Sequence, residues 1–364
     1  MKILQVITGN DNGGGGKHVL NICTGSNKYF ETVLGCIGKG DLYERAKSMG
    51  VKTKLFTLKS IINGELQRYV KDNNINIVNF HGAKAFFAHS FIHNKINIPT
   101  VATIHSDYKR DFMNNKFKYY FFTPLSIKGI KTFKNYICVS NYIKNMLIKD
   151  NISGEKFIVN NGIDIDSIRP CKDKNKLIKE LDLNEKDFIY IMVARMHPIK
   201  NHKSLIEAFS KLCREYDDVK LLLVGDGVEE ENLKSQVQNL KISNKVKFIG
   251  FKDNVLEYIN LSDISLLTSF NEGGAPPLVI LESGALNVPV IASNVSDIPK
   301  TINGNNGFLI DPNSVDSIYN KMREAYISKD KLKELGFNLY KDVVNNYSID
   351  NFCKSYYNFY KSLI

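Results

Sequence analysis

The sequence contains no apolar run approaching the ~20 residues that a membrane-spanning helix needs. Its N-terminus has no signal-peptide pattern, because residues 2–8 are already typical of a β-strand. The six cysteines are scattered and form no C-x-x-C pair, which indicates buried thiols in a reducing environment rather than disulfides or zinc. From these absences we expect a cytoplasmic protein.

Acidic residues are scarce in only one part of the chain. The formal net charge is +11, and residues 1–170 hold 24 Lys and Arg against 12 Asp and Glu, whereas residues 171–364 hold 25 against 26. One interpretation is a general bias toward Lys, Asn and Ile. The other, which we favour because the second half shares the composition but not the charge, is that the first half faces an anionic membrane or nucleic acid.

The hydrophobic pattern predicts an α/β protein of two domains. At 364 residues, with 43% hydrophobic and 24% charged residues, the chain is long for one core. Short β-branched runs separated by amphipathic stretches indicate parallel sheets. The polar stretch 160–186 separates two such sets, and 349–364 is typical of an aromatic-rich helix. Predicted strands are 2–8, 32–36, 76–80, 100–104, 136–139, 156–159, 188–194, 219–224, 246–249, 264–268, 289–292 and 307–310.

Residues 269–293 combine two glutamates with a Gly-Gly-Ala-Pro-Pro turn. A glycine-rich loop that enters a helix presents free backbone N–H groups and the positive end of the helix dipole, which suits a phosphate. Pro277 is predicted at the first helical position, which puts Glu282 just over one turn into the helix. A carboxylate only accepts hydrogen bonds, so Glu272 and Glu282 suit sugar or ribose hydroxyls. The implied ligand is a nucleotide-sugar.

Two cations follow the predicted strand 188–194, at the end of the strand where open α/β sheets bind ligands. Arg195 offers a planar fork to a phosphate, and Lys200 offers a point charge. We therefore expect these two residues to hold a diphosphate.

With these motifs in this order, the sequence resembles the family 4 retaining glycosyltransferases of the GT-B fold. The resemblance covers nearly the whole chain, and its strength lies in the ordered series rather than in any single motif. The matching segments are 13–18, 79–82, 103–105, 138–140, 161–164, 194–195 with Lys200, 223–227, 246–250, Ser269 with 272–273, and Glu282.

The resemblance implies two Rossmann-like, doubly wound domains that face each other across a cleft. Residues 1–165 would bind the acceptor, residues 166–345 would bind the nucleotide-sugar, and residues 346–364 would form a helix that crosses back to the first domain. The donor would most often be UDP-linked. The acceptor would be a lipid-linked or cell-envelope glycan.

The resemblance also implies roles for individual residues. The catalytic set is His105, Glu272, Arg195 and Lys200, with His105 beside the reacting sugar, where it can contact a hydroxyl or the departing phosphate. The donor-binding set is Gly14, Gly15, Arg195, Lys200, Gly250, Phe251, Glu272, Gly273, Gly274, Ala275, Leu278 and Glu282. The family uses a same-face substitution in which the departing phosphate helps to deprotonate the acceptor. We expect neither a metal nor another cofactor.

Several motifs have a second interpretation. The glycine run after the first strand is not a Walker A loop, because Asp11 stands where glycine is required and His18 where Ser or Thr would hold magnesium. The Asp164-Ile165-Asp166 stretch could suggest a metal-binding pair, but it follows Asn161-Gly162-Ile163 and is interpreted as the domain linker. We interpret His81 as scaffold, and His89 with His93 as packing rather than zinc ligands.

Residues 108–136 hold seven Lys or Arg, one Asp and nine Phe or Tyr. This mixture suits an anionic membrane surface, where aromatic rings lie at headgroup depth and lysines attract lipid. A core helix and a single-stranded nucleic-acid site are the alternatives. We favour the membrane, which would place the protein peripherally at the inner face, and we expect no nucleic-acid partner.

One feature departs from the resembled family. Nine residues separate Glu272 from Glu282, two more than the family usually has, and the extra residues fall in the glycine-rich turn. Either the loop bulges and Glu272 still reaches the sugar, or the site is altered. Two other functions stay open: a nucleotide-sugar 2-epimerase of the same fold, and a catalytically silent glycosyltransferase partner subunit.

Overall fold

The computed structural model of the protein describes residues 1–11, 13–109, 116–168, 174–273 and 276–364, without the side chains of residues 116–122. The chain divides into two compact units. Unit 1 comprises Met1–Asp164, Gly273–Ala275 and Tyr347–Ile364, and unit 2 comprises Ile165–Glu272 and Pro276–Asn346. Within the described residues, no helix is both long enough and apolar enough to cross a bilayer.

Unit 1 is built on a seven-stranded parallel sheet. Its strands are β1 Lys2–Thr8, β2 Glu31–Ile37, β3 Thr53–Phe56, β4 Ile77–His81, β5 Thr100–Ile104, β6 Asn135–Cys138 and β7 Glu155–Ile158. The helices between them are α1 Gly14–Gly25, α2 Asp41–Ser48, α3 Leu58–Ile62, α4 Glu65–Asp72, α5 Ala83–Ser90, α6 Lys116–Ile130 and α7 Asn141–Lys149. The strand order β3-β2-β1-β4-β5-β6-β7 reverses direction between β1 and β4, and such a reversal opens a crevice at the carboxyl ends of the strands.

Unit 2 repeats the plan with six strands. They are β8 Phe188–Val193, β9 Val219–Val224, β10 Val246–Gly250, β11 Ile264–Leu267, β12 Val290–Ser293 and β13 Gly307–Ile310. The helices are α8 Lys174–Glu180, α9 His202–Leu212, α10 Glu230–Asn239, α11 Leu256–Leu261, α12 Leu278–Ala285, α13 Val315–Ile327 and α14 Lys329–Tyr347. The order β10-β9-β8-β11-β12-β13 reverses between β8 and β11, so the candidate loops after these two strands share one edge.

The last helix, α15 Ile349–Lys361, packs on the sheet of unit 1. Its Phe352, Tyr356 and Tyr360 are buried in one cluster with Ile3 and Ile77 of the strands. The helix begins at Ser348, whose side chain accepts a hydrogen bond from the backbone N–H of Asn351 and so caps the first turn. The aromatic stripe of this helix is therefore part of the core.

The doubly wound α/β fold predicted from the sequence is confirmed, since every predicted strand occurs within one residue at each end. Strand β3 was not predicted. Its sequence, Thr-Lys-Leu-Phe, is short and half polar, and Leu55 stays 39% exposed at the sheet edge. An edge strand buries only part of its surface and so carries a weak hydrophobic signal.

Candidate functional site

The central strands of unit 1 carry their fully buried polar side chains on one face. Alternate residues of a strand point to opposite faces. On β1, β4 and β5 one face holds apolar residues of the main core, such as Leu4, Phe80 and Ile104. The other face begins apolar and then carries polar residues, with Ile3, Gln5 and Ile7 on β1, Ile77, Asn79 and His81 on β4, and Val101, Thr103 and then His105 on and after β5. The candidate His105 therefore lies at the end of a polar strip.

His105 is joined to that strip by His81. Nδ1 of His81 lies 2.9 Å from Nε2 of His105, and the two rings are stacked. Nε2 of His81 lies 2.8 Å from Oε1 of Gln5. Both His81 and Gln5 are fully buried. His81, which we interpret as scaffold, therefore supports one specific residue, the candidate His105.

A third histidine completes the cluster. His18 of α1 lies 2.8 Å from Asn161 through Nδ1 and 2.7 Å from the Tyr356 hydroxyl through Nε2, and its ring meets His105 edge-on at 4.6 Å. Burial lowers the pKa of His18 and of His81 well below the usual value, and it lowers the pKa of His105 to about 4. All three rings are consequently neutral at pH 7.

The glycine run lies next to this cluster. At Gly15 a Cβ atom would lie 3.6 Å from the His105 ring, whereas at Gly14 it would meet nothing within 4 Å. At Gly16 it would lie 2.1 Å from the carbonyl oxygen of Asp11, so only glycine fits there. The backbone N–H of Gly13 donates to the Asp11 carboxylate at 2.9 Å, which fixes the entry of the loop. The loop therefore places Gly15 beside His105 and leaves Gly14 open.

In unit 2 the structure brings Lys200 and Glu272 together. Nζ of Lys200 lies 2.5 Å from Oε1 of Glu272, and the buried Ser269 hydroxyl donates to the same oxygen at 2.5 Å. Lys200 follows β8 and Glu272 follows β11, the two strands at which the sheet order reverses. Their side chains keep 21% and 10% of their surface exposed. Lys200, which is proposed to bind the phosphate, and Glu272, which is proposed to bind the sugar, therefore form an ion pair with each other in this structure.

Arg195 lies on the same loop, and no ion-pair partner for it exists among the described residues. Burial lowers the pKa of the neighbouring His197, Arg195 and Lys200 lower it further, and Glu229 raises it. Two cations on one loop suit an anion such as a diphosphate.

The remaining donor-binding candidates lie at the carboxyl ends of neighbouring strands. Gly250 ends β10 with a φ of +73°, and Phe251 after it is 64% exposed. Leu278 begins α12, and Glu282 lies within that helix. Pro277 is the N-cap of α12 rather than its first helical residue, one position earlier than predicted. Gly273 has a φ of +46°, while Gly274 and Ala275 lie outside the described residues.

The basic aromatic segment 108–136 is partly a core element. Its described aromatic residues Tyr108, Phe133 and Tyr136 are buried, whereas Leu125 and lysines such as Lys128 and Lys131 are exposed. Residues 110–115 and the side chains of 116–122 fall outside the described part. The core-helix alternative therefore holds for the three described aromatic rings, and the membrane interpretation rests on the exposed lysines and Leu125.

His89 and His93 have structural partners, whereas neither ring nitrogen of the buried His202 has a hydrogen-bond partner among the described residues. His89 stacks on Phe133 at 3.7 Å and lies within hydrogen-bond distance of Thr132 and Thr100, which agrees with its interpretation as packing. Within the described ranges, no three His, Cys, Asp or Glu side chains gather as a metal site would require. The boundary between the units falls between Asp164 and Ile165, the stretch interpreted as the linker.

The sequence analysis did not identify the polar residues behind His105. Gln5, Asn79, Tyr356 and Tyr360 are buried and hydrogen-bonded to one another or to the histidines. A signal was present, because polar residues recur at every second position of otherwise apolar strands. Their grouping depends on strand order and on a helix some 280 residues further along, as in the Asn79–Tyr360 contact.

Comparison with known families agrees with this architecture. The family Glycosyltransferase Family 4 matches residues 12–167, and the family Glycosyl transferases group 1 matches residues 173–342. The first match ends at residue 167, just after the unit boundary between Asp164 and Ile165, and the second match covers most of unit 2.

Individual relatives give the same result. An N-acetyl-alpha-D-glucosaminyl L-malate synthase of Bacillus anthracis is 30% identical over 194 residues, which are 53% of this chain and 50% of that protein. A UDP-Gal:alpha-D-GlcNAc-diphosphoundecaprenol alpha-1,3-galactosyltransferase of Escherichia coli is 28% identical over 80% of this chain and 76% of the relative. The chain thus spans about half the length of the first relative and three quarters of the second.

Among solved structures, Anabaena HepE in complex with UDP-glucose superposes with a TM-score of 0.84 at 20% identity and covers all of both chains. At this identity the superposition establishes the fold and nothing finer.

Proposed function

Since the chain belongs to the family 4-like glycosyltransferases of the GT-B fold, we propose that it transfers a sugar from a nucleoside diphosphate sugar, with UDP as the nucleotide, to a lipid-linked or cell-envelope glycan. The observation that carries the proposal is the cationic loop of Arg195 and Lys200 at the sheet reversal of unit 2, with Glu272 against it. The choice of UDP is supported by the names of the E. coli relative and the Anabaena complex.

In unit 2, Arg195, Lys200 and the N-terminal turn of α12 hold the diphosphate. Glu282 accepts hydrogen bonds from the ribose, while Gly250, Phe251 and Leu278 adjoin the nucleoside. Glu272, with backbone amides of residues 273–275, holds the sugar. Because Lys200 is paired with Glu272 before binding, the arriving phosphate exchanges with or joins that carboxylate, so part of the phosphate attraction replaces an existing ion pair.

The reaction proceeds with retention by substitution on one face of the sugar. The bond from C1 to the phosphate oxygen breaks, the bond from C1 to the acceptor oxygen forms, and the acceptor proton passes to the departing phosphate. Cationic side chains and the helix N-terminus stabilise the charge that develops on the phosphate, without a metal ion. His105, with its pKa lowered to about 4 by burial, acts as a neutral hydrogen-bonding group and not as an acid. Gly14 and Gly15 let the substrate approach the backbone beside it.

Unit 1 binds the acceptor, and we propose that it does so peripherally at the inner membrane surface. The supporting observations are the positive charge of residues 1–170 and the exposed lysines at positions 128 and 131. Anionic lipid attracts such lysines by about 1 kcal/mol each near the surface.

A screen of nucleotide-sugars tests the proposal. Thermal shift with a panel of UDP-, GDP- and ADP-sugars identifies the donor, and NMR of the product of transfer then gives its anomeric configuration. Stabilisation by a UDP-sugar and a product with the donor's configuration are expected. Inversion at C1 would overturn the retaining mechanism, and a protein that binds no nucleotide-sugar would be a silent partner subunit instead.

A nucleotide-sugar 2-epimerase is the second candidate, because three histidines gather at the candidate site of unit 1. Such an enzyme converts its substrate without an acceptor. Incubation of the identified donor alone, followed by NMR of the sugar, separates the two functions, since epimerisation gives a new sugar still attached to the nucleotide.

A further inference from the structure

The polar strip behind His105 continues to the C-terminal helix as a chain of hydrogen bonds. Nε2 of Gln5 donates to the Tyr360 hydroxyl at 3.2 Å, and Nδ2 of Asn79 donates to the same hydroxyl at 2.8 Å. Thr103 donates to Oδ1 of Asn79 at 2.9 Å. Gln5, Asn79, Thr103 and Tyr360 are all fully buried. Polar groups in such a position are costly unless they are paired, and in this structure both amide nitrogens are paired with the Tyr360 hydroxyl.

The two ends of the Gln5 amide face different partners. Because the Gln5 amide nitrogen faces Tyr360, its carbonyl oxygen faces His81 and can only accept a hydrogen bond. Nε2 of His81 therefore carries the proton. Burial keeps His81 neutral, and a neutral imidazole has one N–H, so Nδ1 of His81 is an acceptor. The group opposite it, Nε2 of His105, must then be the donor.

We infer that Tyr360, Gln5 and His81 are positioning residues that hold His105 with its proton on Nε2, so that Nδ1 is left as a hydrogen-bond acceptor for a hydroxyl of the bound sugar. The part concerning the sugar rests on the proposed function. Within the described part of the chain Nδ1 of His105 has no hydrogen-bond partner, and the ring borders the glycine loop at Gly15.

This assignment is more specific than a histidine near the sugar. In the neutral ring, Nδ1 attracts a hydroxyl, which can donate, and disfavours a phosphate oxygen, which cannot. Of the two contacts that the family resemblance allows for His105, the relay selects the sugar hydroxyl. The relay also gives α15 a role in the site through Tyr360, although no residue of α15 forms a hydrogen bond with His105 within the described chain.

The test measures the tautomer directly in the full chain, without any substrate. Two-bond ¹H–¹⁵N correlation spectra of protein labelled with ¹⁵N-histidine show which ring nitrogen carries the proton, and a His105→Gln spectrum assigns the signals. We expect Nε2–H for both His81 and His105 at pH 7.5. A wild-type His105 that carries its proton on Nδ1 would overturn the inference, whatever the variants show.

Two tyrosines of α15 provide a matched pair of variants. Tyr360→Phe removes the hydroxyl that orients Gln5, and Tyr356→Phe removes the hydroxyl that faces His18, one helical turn away. Gln5→Met removes the acceptor itself. We expect Tyr360→Phe and Gln5→Met to give mixed tautomers at His105, and Tyr356→Phe to alter the His18 signals while His105 keeps its proton on Nε2. Unchanged His105 signals in Tyr360→Phe with a native backbone spectrum would contradict the relay.

Once a donor is known, steady-state kinetics distinguish a positioning effect of Tyr360 from a general folding defect. Tyr360→Phe should lower kcat by up to about tenfold, the size of one neutral hydrogen bond, with KM for the donor unchanged. An equal loss in Tyr356→Phe would show a structural effect and count against the relay. The spectra need no turnover, so absence of transferase activity alongside the expected tautomers would refute the proposed function and leave the relay standing.

Discussion

The two units share a reversal in strand order, but the side chains near that reversal differ in charge and burial. In unit 1 the groups near the sheet reversal are neutral, deeply buried and bonded to one another, as with Gln5 and His81. In unit 2 they are charged and partly exposed, as with Lys200 and Glu272. A buried neutral network fixes geometry before a ligand arrives, whereas a partly exposed ion pair can exchange partners when one does. We therefore expect a preorganised site in unit 1 and a change of partners on ligand binding in unit 2.

The overall charge of each half does not indicate where the candidate diphosphate site lies. The excess of basic residues lies in the first 170 residues, yet the two cations proposed for the diphosphate belong to the half whose charges balance. Their effect depends on local placement, because Arg195 and Lys200 lie on one loop after β8, where the sheet order of unit 2 reverses. A bulk charge therefore indicates a surface partner more readily than a catalytic site.

The largest expected effect is a difference in acid stability. Three fully buried histidines of unit 1, His18, His81 and His89, have pKa values lowered by burial, His89 to about 3, whereas unit 2 has only His202 among its described, comparably buried residues, at about 4. The unfolded chain binds more protons below pH 6.5, so stability falls as the pH drops from 6.5 toward the folded pKa values. Between pH 7.5 and 5 each histidine should cost up to about 2 kcal/mol.

Urea titrations by circular dichroism at pH 7.5, 6 and 5 measure this loss, and limited proteolysis at pH 5.5 shows which unit opens first. The carboxylates stay largely ionised in this range, so they do not obscure the histidines. We expect unit 1 to be cleaved first. Equal midpoints at all three pH values, or earlier cleavage of unit 2, would contradict the contrast.

The second effect concerns Glu272. Replacement by Gln keeps the shape but removes the charge that holds Lys200, so free UDP should bind as well as before or slightly better. Turnover should fall roughly 10²-fold, as expected for lost stabilisation beside the reacting sugar. Isothermal titration and initial rates give the two values.

Glu282→Gln is the matched control, because it changes the same group on α12 and should weaken UDP and UDP-sugar alike. If Glu272→Gln has wild-type turnover, the two extra residues in the loop carry Glu272 away from the sugar. The backbone amides at residues 273 and 274 would then take its place.

The third effect is on nucleotide affinity. Arg195→Ala should weaken binding of the nucleoside diphosphate by about 1.5–3 kcal/mol, the range for a charged hydrogen bond. The melting temperature should barely change, because no ion pair of Arg195 occurs among the described residues. Arg214→Ala, an exposed arginine elsewhere in unit 2, is the control. Similar UDP affinity in both variants would remove Arg195 from the site.

The smallest effect is at the surface of unit 1. Charge reversal of Lys128 and Lys131 to Glu should lower sedimentation with vesicles that contain anionic lipid, by about 1 kcal/mol for each positive charge lost. The difference should shrink as salt rises, since exposed charges are screened over ~8 Å at physiological ionic strength. The same double change at Lys203 and Lys241 of unit 2 is the control. Binding to neutral vesicles as strong as to anionic ones would exclude the electrostatic interpretation.

Local sequence was sufficient for much of the fold. The strand 219–224 was predicted to the residue because Val-Lys-Leu-Leu-Leu-Val is β-branched or apolar almost throughout. It was sufficient also to single out Arg195, Lys200 and Glu272, since cations and carboxylates on loops after buried strands are conspicuous. The proposed roles of these residues stay predictions, and so do the domain bounds drawn from the sequence.

By itself, then, the sequence determined two doubly wound domains and the family, because hydrophobic periodicity and loop motifs act over a few residues at a time. Tertiary structure alone decided that Lys200 pairs with Glu272 and that His105 rests on His81, Gln5 and a tyrosine near the C-terminus. These contacts join residues 24 to 355 positions apart. No local pattern encodes such pairs, since strand order and the return of α15 onto the first sheet bring them within hydrogen-bond distance.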